Sequence, residues 1–201
     1  EAIGLNRPAV ARGAVRHAIM LGIGGSLVLA SAIYSGLGEW LAREVVNSQE
    51  LADASDLVAA WIVPATMTLL IAEIFRGFHD LRWATLHGGL LGSLLTLLIV
   101  VALHLNGVPM TLRVVVGVSF TATVLGVLVA GLTLHRRVRK LPSPAADRSL
   151  LGMLRVSLPL CVTTAIVLLL QQADIWLVGA FESSQDVAIY GAAARLMFIV
   201  S

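Results

Sequence analysis

The chain has 201 residues, 58% of them hydrophobic and 13% charged, with a mean hydropathy of +0.90. A soluble domain carries about twice that share of charge, which excludes an ordinary soluble enzyme or binding module. The net charge is +2 and the pI is near 9.2, yet the basic residues gather beside the ends of apolar runs, a mark of membrane topology rather than of a nucleic-acid partner.

Several apolar runs reach the roughly 18–20 residues needed to cross hydrocarbon. The expected fold is therefore all-α, a polytopic transmembrane helical bundle. Residues 1–12 are polar to mixed, with Arg7 and Arg12. A first span is expected over about 14–37. Along it Ala18, Gly22, Ser26 and Ala30 recur at every fourth residue. Such a ridge of small side chains lets two membrane helices approach closely. Residues 38–56 read as a loop of opposite sign, in which Glu39, Glu44, Glu50, Asp53 and Asp56 face Arg43 alone.

A second span is expected over about 57–75. Pro64 should kink it, because proline removes a backbone donor and crowds the preceding turn. Glu73 and Arg76 close this span three residues apart, a spacing that pairs side chains on one helix face. The link 76–82 reads Arg-Gly-Phe-His-Asp-Leu-Arg. A third span follows over about 83–105, with Ala84, Gly88, Gly92 and Thr96 as a second small ridge. Asn106-Gly107-Val108-Pro109 is a turn by composition. A fourth span, about 110–134, carries a third ridge of Ala122, Gly126 and Ala130.

His135-Arg136-Arg137-Val138-Arg139-Lys140 and then Leu141-Pro142-Ser143-Pro144 form the strongest shift of composition in the chain. The expected organisation is an N-terminal set of helices over 1–140, a linker over 141–150, and the start of a second set over 151–201. That last part holds a span at about 151–181 and a truncated one from 187. Loops at 1–16, 76–82 and 135–148 are basic, and those at 38–56, 105–109 and 182–186 are acidic or neutral. They alternate at every crossing, so the basic side is expected to face the cytoplasm. The chain opens on Glu1 and ends inside an apolar run, as expected of a piece of a longer protein.

Asp174 is the first candidate for chemistry. A charge inside an apolar span is costly and marks function by default. It lies about five residues, roughly 7 Å, from the outer end of its helix, and Arg195 lies about eight residues, roughly 12 Å, into the next. In an antiparallel hairpin the two reach similar depth. Two readings stay open: they line a wet cavity together, or they form a pair that only locks the hairpin. Gln171 and Gln172 are expected to glue helices by hydrogen bonding. Pro159 marks either a simple kink or a helix that bends between two states. Arg76 is either half of an interfacial pair with Glu73 or, with Arg82, part of a cationic rim for an anionic headgroup or pyrophosphate.

Cys161 is expected to be a buried, inert thiol. His87 and His104 sit near span ends, where interfacial packing is the ordinary role. No pattern for zinc hydrolysis, ATP binding or a serine nucleophile occurs, so no enzyme activity, metal or cofactor is expected.

Ser157-Leu158-Pro159, then Asp174, then Val187-Ala188-Ile189-Tyr190-Gly191-Ala192-Ala193-Ala194-Arg195-Leu196 resemble the seventh and eighth helices of Wzx-like bacterial polysaccharide flippases. Their superfamily, the multidrug/oligosaccharidyl-lipid/polysaccharide exporters, also holds drug/cation antiporters and the lipid II flippase. The link 76–82 looks like the "R-G" turn between that family's fourth and fifth helices. Ala188 departs from the glycine the family often has before its tyrosine. The likeness covers nearly the whole chain and implies helices three to eight of a two-lobe transporter with 12–14 helices. It also implies a bacterial cytoplasmic membrane protein that flips a polyprenyl-pyrophosphate-linked oligosaccharide by alternating access. Its implied partners are that substrate, membrane lipid and polysaccharide polymerase or assembly proteins. Asp174 and Arg195, with Arg76, are the cavity residues it points to. A drug/cation antiporter, a lipid II flippase and a non-catalytic scaffold of envelope assembly are the alternatives.

Overall fold

The computed structural model describes residues 8–142, 150–181 and 187–194. All regular structure among them is helical. The chain divides into two units, Glu1–Arg148 and Ser149–Ser201.

In the first unit, four helical stretches are long and apolar enough to cross a membrane: Arg12–Val45, Ser55–Gly77, Leu81–Leu105 and Leu112–Val138. The first begins with α1 (Pro8–Ala32) and breaks in a wide turn, Ile33–Leu37, where Gly36 has φ 109°. Helix then resumes as α2 (Gly38–Trp40), a π-helical turn (Leu41–Val45) and α3 (Gln49–Asp53). Residues 38–56 are thus largely helical, not the loop their charge suggested. The acids sit at helical spacing: Glu39 pairs with Arg43 at 2.6 Å, one turn away, and Ser48 caps α3 by accepting from the Leu51 amide. Arg113 adds a second cation that composition did not reveal. It donates to the Asp53 carbonyl at 2.6 Å and to the Asp56 carboxylate at 2.9 Å.

Helix α4 (Ser55–Gly77) is continuous across Pro64. Thr66 and Thr68 donate to the Ile62 and Pro64 carbonyls at 2.8 and 3.0 Å. The third span is broken. α5 (Leu81–Thr85) and α6 (Leu91–Leu105) flank a π-helical turn in which Gly88 and Gly89 leave helical geometry, Gly89 with φ 126°. Only glycine adopts that backbone without strain. The fourth span is one long helix, α7 (Leu112–Val138), opened by the Thr111 side chain. It carries His135, Arg136 and Arg137 in its last turn, where cations suit the negative end of the helix dipole.

α4 packs against both α1 and α7, and α6 packs against α7. The buried apolar residues are mostly alanines, whereas Leu98, Leu128 and Leu132 are exposed. Lipid solvates large apolar side chains as well as a protein interior does, so close approach of small residues replaces the hydrophobic drive between helices. The first ridge behaves as expected. Ser26 is buried, and a Cβ on Gly22 would lie 2.8 Å from Leu70 and 3.0 Å from Met67 of α4.

The core is concentrated at one end, where Ile71, Phe75, Ala84, Ala130 and Leu134 pack with Ile19 and Val138. The basic stretches converge there: Arg12 donates to the Leu141 carbonyl at 3.3 Å. The acidic stretch and the start of α7 meet through Arg113. Within the first unit the basic and acidic stretches therefore lie at two ends of the bundle.

In the second unit, α8 (Leu150–Phe181) runs through Pro159. Its parts Ser157–Leu170 and Ala173–Gly179 meet at 43°, so the span bends just before Asp174. Residues 187–194 are again helical, and Val187 lies 3.9 Å from where a Cβ on Gly179 would stand. Cys161 is exposed on α8, against the expectation of burial, as are its apolar neighbours Leu160 and Val162.

Candidate functional site

The tight reversal after α4 fixes a polar cluster at the basic end. The Phe78 amide bonds the Ile74 carbonyl, His79 takes a left-handed φ of 58°, and Asp80 enters α5 beside α7. Asp80 accepts from Arg137, whose guanidinium also stands 5.5 Å over the Phe78 ring. Fifty-seven residues separate the partners. The only trace of this pair in the sequence is an acid within an otherwise basic link.

With side chains 41% and 21% exposed, Arg137 and Asp80 should couple by about 1–2 kcal/mol, between the values for exposed and buried pairs. Thermal melts of Asp80→Ala, Arg137→Ala and the double variant check this. Simple additivity of the two losses would disprove the coupling.

One turn deeper lies an aromatic layer. Trp83 and His87 stack at 5.3 Å and 14°, and Phe75 stacks on His87 at 5.7 Å. His87 is 4% exposed, so it belongs to the packed interior and not to the interface expected for it. The glycines at 88 and 89 explain this, since a Cβ on Gly88 would lie only 3.2 Å from the Ala72 Cβ. The chain comes close enough there to tuck the imidazole between α4 and α7. Thr133 donates its one hydroxyl proton to the Ala130 carbonyl at 2.7 Å. Its lone pair therefore faces His87 Nε2 at 3.2 Å, and Nε2 must donate. His87 Nδ1 is buried with no partner among the described residues.

Beyond His87, α4, α6 and α7 enclose a cleft of about 660 Å³. Gly92, Thr96 and Gly126 line it, beside Thr68, Trp61 and Thr123. Trp61 donates to Thr123 at 3.0 Å. The second and third ridges thus divide. Ala84, Ala122 and Ala130 are buried against neighbouring helices, whereas Gly92 and Gly126 meet no atom within 4 Å of a Cβ and open the cleft.

In the second unit the exposed Asp174 carboxylate accepts from the Tyr190 hydroxyl at 3.1 Å. Arg195, the partner expected from sequence, lies outside the described residues, as do the loop 182–186 and the side chains of Gln171 and Gln172. Arg76 is exposed and paired with Glu73 one turn back.

The family model for the polysaccharide biosynthesis protein family matches residues 9–201. The chain belongs to that family. No curated protein and no solved structure gives a match. As a polysaccharide biosynthesis family member it is a multi-pass membrane protein with a role in polysaccharide synthesis or export. The family comprises Wzx-like transporters and flippases rather than enzymes.

Proposed function

We propose that this chain forms helices three to eight of a two-lobe transporter in the bacterial cytoplasmic membrane. The transporter flips a polyprenyl-pyrophosphate-linked oligosaccharide by alternating access. The observation that carries this reading is Asp174: an exposed carboxylate on an apolar helix, hydrogen-bonded to Tyr190 and set at the 43° bend of its span. A charge at that depth calls for a wet cavity, and a bent helix is the usual carrier of such a site. Arg195 in the second unit, and separately Arg76 at the basic end of the first unit, are the cations proposed to contact the diphosphate, a task that suits the planar guanidinium fork. Polymerase or assembly proteins would act on the flipped product.

The test replaces Asp174 and Arg195 singly with alanine in the full-length protein. Membrane abundance, surface polysaccharide and the intracellular lipid-linked precursor are then measured. Abundance should hold while surface polymer falls about tenfold or more, the scale of a ~1.4 kcal/mol loss, and precursor accumulates. Normal polymer from both variants would remove these residues from the transport path. Precursor that never accumulates, together with lost resistance to cationic drugs, would favour an antiporter in which Asp174 holds a cation.

A further inference from the structure

At the basic end of the first unit, Phe75, Trp83, Thr133, Arg136, Arg137 and Lys140 line a recess of about 400 Å³. Its floor is aromatic and its rim carries three cations. Arg137 is already engaged by Asp80. Arg136 and Lys140 are exposed and form no ion pair among the described residues. They stand four residues apart on α7 and its exit, so they share one helix face. Capping of the helix dipole accounts for cations in this last turn, but not for two of them beside a third over an aromatic pocket.

Depth identifies the setting. Arg136 lies 24 residues beyond Leu112, or roughly 36 Å along the helix, just past the ~30 Å of hydrocarbon. The recess therefore opens at headgroup level, with Trp83 beside it as an interfacial aromatic. Basic pockets between membrane helices at that level suit anionic headgroups.

We propose that this recess is a binding site for a phosphate group at the membrane surface, supplied by an anionic phospholipid. Arg136 and Lys140 contact the phosphate, and Arg137, held by Asp80, anchors the rim. The site lies within one unit and does not depend on what the protein transports.

The test purifies the full-length protein in a mild detergent with phosphatidylglycerol or phosphatidylcholine and counts retained lipid by native mass spectrometry. Wild type should retain phosphatidylglycerol in preference to phosphatidylcholine. Arg136→Gln and Lys140→Gln should each weaken that retention about fivefold, and the double variant about twenty-fivefold. Arg43→Gln, at the other end of the bundle, should leave it unchanged. If millimolar inorganic phosphate displaces the lipid, the site reads phosphate alone and the free ion can supply it. If the lipid stays, the phospholipid is its ligand. Equal retention of the two lipids, or undiminished retention by the double variant, would overturn the proposal.

Discussion

Phe75→Ala should lower the melting temperature of the purified protein by about 6–12 °C, equivalent to about 3 kcal/mol. Phe75 is 1% exposed, the largest fully buried side chain among the described residues. Its ring joins three helices: it ends α4, stacks on Trp83 of α5 and His87, and packs with Ala130 and Leu134 of α7. Truncation leaves a cavity that rigid neighbours cannot close. In lipid the transfer contribution shrinks, because the ring is equally content among acyl chains, and the lost packing sets the scale. Phe75→Leu keeps most of the volume and should recover more than half of the loss. Leu98→Ala, at a position 66% exposed, is the control and should change little. Equal melting of Phe75→Ala and Leu98→Ala would show that this layer does not hold the bundle.

Gly88→Leu should cost a similar amount, about 3 kcal/mol, through overpacking. A Cβ at this position already comes within 3.2 Å of the Ala72 Cβ. Both atoms are fixed by backbone, and Ala72 is 2% exposed, so neither can swing aside. The added Leu branches can be housed only if α5 lifts from α4, which also withdraws His87 from Thr133. The sharper control is a pair: Gly88→Ala should cost about 1 kcal/mol alone and regain most of it when combined with Ala72→Gly. Size-exclusion profiles and thermal melts read both. A Gly88→Leu variant that melts like wild type would mean that the close approach of α4 and α5 is not required.

Much of the architecture follows from patterns that need no partner. A run of apolar residues long enough to span hydrocarbon is a property of the run itself, and so an all-helical chain with several membrane-spanning helices was legible. The alternation of loop charge was legible for the same reason, and the convergence of Arg12 and Arg137 at one end of the bundle agrees with it. Failures arose where one signal was read alone. Acidity made 38–56 look like a loop, whereas the i,i+4 spacing of Glu39 and Arg43 already fitted a helix.

The candidate site was less legible, and Asp174 shows why. Its exceptional setting could be read from sequence, but its described partner, Tyr190, had served only as a landmark in the family resemblance. The packing of two helical segments brings residues 174 and 190 together, and that pairing is not written in either segment alone.

What the sequence determined by itself is therefore the membrane class, the all-helical fold and the family. These rest on summed hydropathy and local charge. Only the tertiary structure decided which small residues pack and which open a cleft, that His87 is buried, and that Asp80 finds Arg137. The physical reason is common to all three. In lipid every face of these helices is apolar enough, so hydrophobicity does not set their rotation, and rotation decides which side chains meet.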